Sequence, residues 1–467
     1  MKKIICIILC FCTLFSFVSC NQDEYKDEEC YISSASVIFG NRIYRNATAQ
    51  QITGSDSENY LVYSNIGEER SDIHIGCIDP LCTHEWETCA AFMYSLSEIL
   101  FVPSKKAPKI YFFSEIPETD LNGKHKSVMA LIGLNMKTGE RKIICELSED
   151  FQFWSMFRSF LFSDGYIYWI GHLLDGSVEG TTNDNIWRVW AGGGEAEQVT
   201  RLQAQSGNGY YTLYYRDADG YFYYYVYHAS DKKYLARSKD FMNEKILLDD
   251  SVRPETHSSL DTLNIHIDDG MIYYFMCEKA VHGKEERPFS GKYDIYEDEE
   301  YFYIPCSIYR IPTDGSAEPE CIAEDVYQKN ISQNIVISEG KLYYIPLHMK
   351  PIGTISYEIP RYFTGKPEED MKKGARKVLQ YIRSYNSGKI KEIDLETLEM
   401  KTYTIGEQIE TLALYGIFED KLLIGTKTTD IDTILKITGD KFYNGQYDAT
   451  STGQTDIYYE YKVIDLD

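Results

Sequence analysis

Positions 77 to 89 read Cys-Ile-Asp-Pro-Leu-Cys-Thr-His-Glu-Trp-Glu-Thr-Cys, a C-x4-C-x-H-x4-C arrangement. Three thiols (Cys77, Cys82, Cys89) and the imidazole of His84 supply the four donors that a tetrahedral structural zinc site of the Cys3His type requires. Pro80 turns the chain, which helps ligands so close in sequence to converge. This spacing is not one of the well-known zinc patterns, and in an exported protein the same thiols serve equally as a disulfide plus one spare thiol. Both readings stand at the level of sequence. A thiolate activated by His84 is the third chemistry available to these residues, but no catalytic residue is assigned on that basis.

Elsewhere the chemical signals are negative. The sequence has no P-loop, G-x-S-x-G elbow, H-E-x-x-H or G-x-G-x-x-G motif. Asp217-Ala218-Asp219-Gly220 lacks the spacing and terminal Glu of an EF-hand loop and reads as a hairpin turn. His228, His266 and His348 lie near strand-like runs and are expected to serve structure. With 47 basic against 72 acidic residues the chain carries a net charge of −25, which excludes nucleic-acid phosphate as a natural partner.

The N-terminus carries addressing information. Lys2-Lys3, an apolar run from Ile4 to Val18 and then Ser19-Cys20 form a secretory signal peptide over 1–19, too short for a membrane span. Phe17-Val18-Ser19-Cys20 resembles the lipobox of bacterial lipoproteins, with Phe17 where that family usually has Leu. Cys20 is then the acylated mature N-terminus, and 20–34 is a lipidated, acidic tether. Cys6, Cys10 and Cys12 leave with the signal. Of the remaining cysteines, Cys145 lies in a strand run and reads as an apolar filler. Cys277 and Cys306 flank an insertion whose base a disulfide would close.

What positions these residues is a repeat. A turn followed by an aromatic β-run recurs at Asn41-Arg42-Ile43-Tyr44, Pro108–Phe113, Gly165–Trp169, Gly220–Tyr225, Gly270–Phe275, Gly340–Ile345 and Asp420–Ile424. The 40 tyrosines are concentrated in such runs, as expected for β-structure. Apolar runs such as Phe160–Asp164 and Asn334–Glu339 precede the turns, and second hairpins such as Ile308-Tyr309-Arg310-Ile311-Pro312-Thr313-Asp314-Gly315 follow. The expectation is an all-β fold over 35–467, a β-propeller of about seven four-stranded blades. Runs such as Tyr166-Ile167-Tyr168-Trp169 do not alternate with polar residues. Blades flanked by blades bury both faces, whereas a two-sheet sandwich leaves one face polar.

Long insertions are expected at 115–126, 171–185, 277–303 and 346–388, all between second and third strands and hence on one face, with the cysteine cluster in a blade-to-blade connection. The insertion over about 346–388, in the sixth blade, carries a predicted helix. Pro367-Glu368-Glu369-Asp370 opens it, and Met371, Ala375, Val378, Leu379 and Ile382 form one apolar stripe.

The stretch Asp79–Cys89, together with the Cys20 lipobox and hairpins such as Ile308–Gly315, resembles a signature in poorly characterised bacterial lipoproteins. In these, propeller-like domains carry the cysteine–histidine signature after the first blade. The resemblance implies a lipoprotein of the cell envelope and lends no enzymatic activity. The functional expectation is therefore a binding module, anchored outside the cytoplasm through lipid, for a protein or glycan ligand. The alternative is a glycan-active hydrolase or lyase using carboxylates at the propeller channel, recognisable by a carboxylate pair.

Overall fold

The computed structural model describes residues 30–34, 36–48, 59–67, 73–84, 89–93, 98–104, 107–119, 125–148, 151–152, 160–173, 184–200, 210–227, 233–249, 257–278, 280–282, 285–287, 305–327, 335–346, 388–406, 411–427 and 459–466. Every regular element among the described residues is a β-strand. The signal segment, Cys20 and most of the predicted helical insertion (347–387) lie outside them.

Among the described residues seven antiparallel sheets of three or more strands follow one another along the chain, the pattern of a seven-bladed β-propeller. The first runs Ser36–Phe39, Arg42–Thr48, Asn59–Asn65, His74–Ile75, and the second Leu100–Val102, Lys109–Thr119, His125–Asn135, Arg141–Glu146. The third contains Leu161–Ser163, Tyr166–Leu173, Asn185–Trp190 and the short Glu197–Gln198. The fourth is Tyr210–Arg216, Phe222–Tyr227, Lys233–Ser238, Lys245–Asp249, and the fifth His257–Asp268, Met271–Glu278, Pro305–Pro312, Glu320–Tyr327. Ile335–Ser338, Lys341–Tyr344, Lys389–Asp394 and Met400–Thr404 make the sixth. The seventh has three strands among the described residues: Thr411–Phe418, Lys421–Lys427 and Tyr459–Ile464.

The chain separates into two compact units, residues 1–37, 44–63 and 74–251, and residues 38–43, 64–73 and 252–467. The second to fourth sheets belong to the former and the fifth to seventh to the latter. In the first unit the second strand of the third sheet shows why its sequence lacks alternation. Ile167 and Trp169 pack into a core with Tyr111, Phe113 and Leu131 of the second sheet. Tyr168 and Ile170 pack on the other side with Leu213, Phe222 and Tyr224 of the fourth. The second unit repeats the device: Leu342 and Tyr344 join the core with Tyr273 and Phe275, while Tyr343 and Ile345 join that with Leu422 and Ile424. Each such side chain contributes about 1.5–3 kcal/mol on burial, so a blade gains from both flanks.

First-to-second strand turns are two residues long in the first, third, fifth, sixth and seventh sheets. Asp164-Gly165, Asp269-Gly270 and Glu339-Gly340 all have positive φ at both residues, the type I′ geometry that matches strand twist. Glu419-Asp420 adopts the same signs without a glycine. Added chain falls between second and third strands in the second, third, fifth, sixth and seventh sheets, at the opposite end of each sheet from these turns. In the second sheet the two strands extend the hairpin to the pair Thr119–His125, and in the fifth a small hairpin of Ala280–His282 with Glu285–Arg287 lies inside the insertion.

One segment differs from expectation. The stretch read as a tether through residue 34 is already ordered at Tyr31–Ile32, which pairs with the first strand of the third sheet, Tyr31 opposite Phe162 and Ile32 opposite Leu161. Tyr31 packs its ring against Phe162, apolar contact that an all-polar tether would not offer.

The backbone also places Cys277 directly opposite Cys306. Thr313 N–H donates to the Gly270 carbonyl, so the pair beyond Met271↔Pro312 is hydrogen-bonded, and Pro312 has no N–H to give. Counting by two along an unbroken register, Cys277↔Cys306 falls in the non-hydrogen-bonded class, where Cα atoms approach to about 4.5 Å and a disulfide fits. Peptide mapping of the non-reduced mature protein should recover a Cys277–Cys306 cross-linked pair, and the two peptides should separate only after reduction.

Candidate metal centre

Asn59–Asn65, the third strand of the first sheet, is flanked on its outer edge by two short strands rather than one. His74–Ile75 pairs with it at Tyr63 and Val62, and Phe92–Met93 pairs at Tyr60 and Asn59. The chain leaves this edge and rejoins it at a single residue. Gly76 N–H donates to the Leu61 carbonyl (2.7 Å), and Leu61 N–H donates to the Ala91 carbonyl (2.8 Å). The C-x4-C-x-H-x4-C segment is the excursion between those two bonds. It therefore interrupts the outer strand of the first sheet, where the sequence pattern had placed it in the connection to the next blade. Gly76 is required by proximity, since a Cβ there would stand 2.9 Å from the Leu61 carbonyl oxygen.

Within the excursion the four expected residues come together. The Sγ atoms of Cys77, Cys82 and Cys89 and a ring nitrogen of His84 all lie within 4.8 Å of one another. Cys89 Sγ is 3.5 Å from His84 Nδ1, and His84 N–H donates to Cys82 Sγ (3.4 Å). An Asx turn shapes the approach: Leu81 N–H donates to Asp79 Oδ1 (2.9 Å) and Cys82 N–H to the Asp79 carbonyl (3.2 Å). His84 itself has φ of 60°, a left-handed conformation that a non-glycine residue holds only when its surroundings impose it. All three cysteines are free thiols.

Burial and crowding act together on Cys77 and Cys89. Desolvation is the largest influence on Cys89, and its neighbours Cys77 and Cys82 add repulsion between would-be thiolates, so its pKa is pushed up to about 12. Cys77 is raised for the same reasons, burial first. Cys77 and Cys89, side by side, resist ionising together unless a cation takes the charge. A divalent metal does so and releases the protons as it binds.

The surroundings hold the excursion in place. The Tyr60 hydroxyl donates to the His84 carbonyl (2.6 Å). Arg141, from the second sheet, donates through Nη1 to the Cys89 carbonyl (2.9 Å) and through Nη2 to Ser114 Oγ (2.7 Å), and Ser114 in turn donates to the Phe92 carbonyl (2.9 Å). Burial lowers the Arg141 pKa. Ile78 packs over Gly139, where a Cβ would lie 2.2 Å from Ile78 Cγ1. Sequence reasoning found the four ligands and missed this shell, because Tyr60 is 24 residues from His84 and Arg141 is 52 from Cys89. Neither carries a local signal. Cys145 is buried in the apolar core, as its strand context suggested.

Among the described residues the second unit holds a further concentration of chemistry-bearing groups, a cavity of about 630 Å³ lined by Asp268, Asp269, Glu339, Asp394 and Glu396 around Arg310. Several of these groups already serve the local fold. Arg310 pairs with Glu320 (2.7 Å) and donates to the Leu395 carbonyl (2.6 Å). Asp394 accepts from the N–H groups of Thr397 (2.8 Å) and Glu396 (3.1 Å), and these bonds hold its pKa low. In the first unit Asp217 closes its turn as expected, accepting from Tyr221 N–H (2.8 Å) and the Tyr223 hydroxyl (2.8 Å).

No protein-family model and no curated protein matches the chain. Among solved structures it is similar to one from a study of two prolyl endopeptidases, at 10% identity and a TM-score of 0.34, over 88% of this chain and 56% of that one. Oligogalacturonate lyase in complex with manganese is similar at 11% identity and a TM-score of 0.32, over 67% and 74% of the two chains. The acylaminoacyl peptidase of Pyrococcus horikoshii gives 12% and 0.37, over 85% of this chain and 49% of that one. The chain thus spans about half the length of these peptidases, and likenesses at such scores carry no activity across.

Removing the Tyr60 hydroxyl (Tyr60→Phe) leaves the His84 carbonyl without its donor while keeping the ring. The variant should fold, bind Co(II) or Zn(II) about tenfold more weakly in chelator competition, and lose about 1–2 kcal/mol of stability in urea titration.

Proposed function

We propose that this chain is an extracytoplasmic binding protein of propeller type, held to a membrane by acylated Cys20, that takes a protein or glycan on the long connections of its sheets. The observation that carries the reading is the placement of extra chain. In five sheets it falls between second and third strands, while the first-to-second turns of the first, third, fifth, sixth and seventh sheets are two residues long. Long loops on a rigid scaffold are where recognition resides. In this reading Cys77, Cys82, His84 and Cys89 hold a structural zinc. Four protein donors complete a tetrahedral shell and leave no open position for a substrate, which distinguishes a structural site from a catalytic one. The glycan-hydrolase or lyase reading loses ground because Asp394 and Arg310, in the acidic cavity, are committed to turn and strand contacts.

The zinc is tested on mature protein purified without chelator. One zinc per chain is expected, with Cys89→Ser abolishing it. A metal-free protein whose non-reduced peptide map joins two of Cys77, Cys82 and Cys89 would show a disulfide in its place.

Recognition is tested by replacing residues 283–300 and 347–387 with short Gly-Ser turns and comparing both proteins on an array of bacterial envelope glycans and in cross-linking to cell-surface proteins. The intact protein should capture a glycan or protein that the shortened one does not. Equal capture by both, or release of reducing ends from an arrayed glycan by the intact protein, would overturn the binding reading.

A further inference from the structure

The anchor and the fold together define an orientation. Tyr31–Ile32 runs antiparallel to Leu161–Ser163, so the chain entering at Cys30 lies beside Ser163 and the Asp164-Gly165 turn. Several bonds fix it there. Arg216 N–H donates to Cys30 Sγ (3.3 Å), and Arg216 Nη1 donates to Ser163 Oγ (3.0 Å) and pairs with Asp164. Arg216 ends its strand just before the Asp217–Gly220 turn. A little further on, Ser33 N–H donates to the Phe160 carbonyl (2.8 Å), Phe160 N–H returns a bond to Ser33 Oγ (2.7 Å), and the Ser33 hydroxyl donates to Glu98 Oε2 (2.5 Å).

The entry point is therefore at the first-to-second-strand end of the third and fourth sheets. The second sheet presents the same end alongside them, since Lys142 Nζ donates to the Gly192 carbonyl (2.7 Å) and Gly194 N–H to the Ile144 carbonyl (3.0 Å), joining its last strand to the last turn of the third sheet. Met242, 82% exposed, projects from the last turn of the fourth sheet.

Cys20 lies ten residues before Cys30. Ten residues span at most about 35 Å fully extended, and a flexible chain of that length has a mean reach of about 18 Å. A six-residue strand such as Lys233–Ser238 is itself about 20 Å long. For the far ends of these sheets to face the bilayer, the tether would have to stretch along the whole strand height and still reach the lipid.

From these lengths we propose that the first-to-second-strand ends of the second, third and fourth sheets, with the Asp164-Gly165, Asp217–Gly220 and Lys239–Asn243 turns, face the membrane surface, and that the second-to-third-strand connections of those sheets point away from it. The proposal rests on acylation of Cys20, and the experiment separates the two.

Lipidated protein carrying azidophenylalanine in place of Met242, Asp219 or Lys233 is clicked to a donor dye. It is then reconstituted into phosphatidylethanolamine–phosphatidylglycerol vesicles with headgroup acceptors. Met242 and Asp219 mark the near end, and Lys233, opposite Tyr227, marks the far end of the same sheet. Energy transfer should be at least about twofold greater from positions 242 and 219 than from 233. Protein that floats with the vesicles but gives equal or reversed transfer overturns the orientation and leaves the anchor standing. Protein that fails to float overturns the anchor, and the orientation with it.

Discussion

Two-sided burial of the second strands is the constraint on which the rest of the structure depends. Trp169 and Tyr168 are adjacent in sequence, face opposite ways, and are both almost fully buried, one against the second sheet and one against the fourth. No single sheet can satisfy such a strand, because one of its faces would put several large apolar groups into water at about 1.5–3 kcal/mol each. Each blade therefore requires a neighbour on either flank, and the repeat follows from that need rather than from any similarity of sequence. Tyrosine suits the position: it fills the same volume as phenylalanine, and its hydroxyl takes a polar partner where the blade ends, as the Tyr224 hydroxyl does with Glu244 (2.8 Å).

With the interior of each sheet committed to packing, variation is left to the ends and the outer edge. The ends divide the work. In the third, fifth, sixth and seventh sheets two-residue turns with positive φ hold the first and second strands in register, and the opposite end carries the added chain. The outer edge is the least supported part of a blade, paired on one side only, and the cysteine–histidine excursion is inserted there. Loss of continuous strand pairing is offset by the two bonds to Leu61, by Tyr60 and Arg141, and by whatever closes the four donors on one another. A metal in that position acts as a cross-link on a segment the ladder has released.

Much of this was legible in the sequence because the signals are local. Asp164-Gly165 and Asp269-Gly270 mark their turns by composition, and the unbroken apolar run of Tyr166–Trp169 marks a strand buried on both faces. The four candidate ligands fall within thirteen positions. What escaped depends on partners distant in the chain. Nothing around Tyr31-Ile32 announces a strand, because two residues have no period and their partner begins 129 positions later, at Leu161. The excursion was assigned to a blade connection because Phe92–Met93 is too short to read as a resumption of the outer strand. Arg141 looks like an ordinary strand-start cation until its carbonyl partner, Cys89, is seen.

The state of the thiols also bears on what the cluster can do. A nucleophilic cysteine needs a depressed pKa, from a cation or a helix N-terminus, together with access for its substrate. Cys89 has neither, being fully buried with a pKa pushed up to about 12. Arg141, the nearest cation from the adjoining sheet, directs its guanidinium hydrogens to the Cys89 carbonyl and to Ser114 Oγ. The same features that disable a nucleophile favour a metal: crowding brings the donors within bonding distance of a common point, and burial strengthens the attraction between thiolate and cation once water is gone. The cluster is thus suited to holding a metal ion and, through it, the loop that carries the four donors.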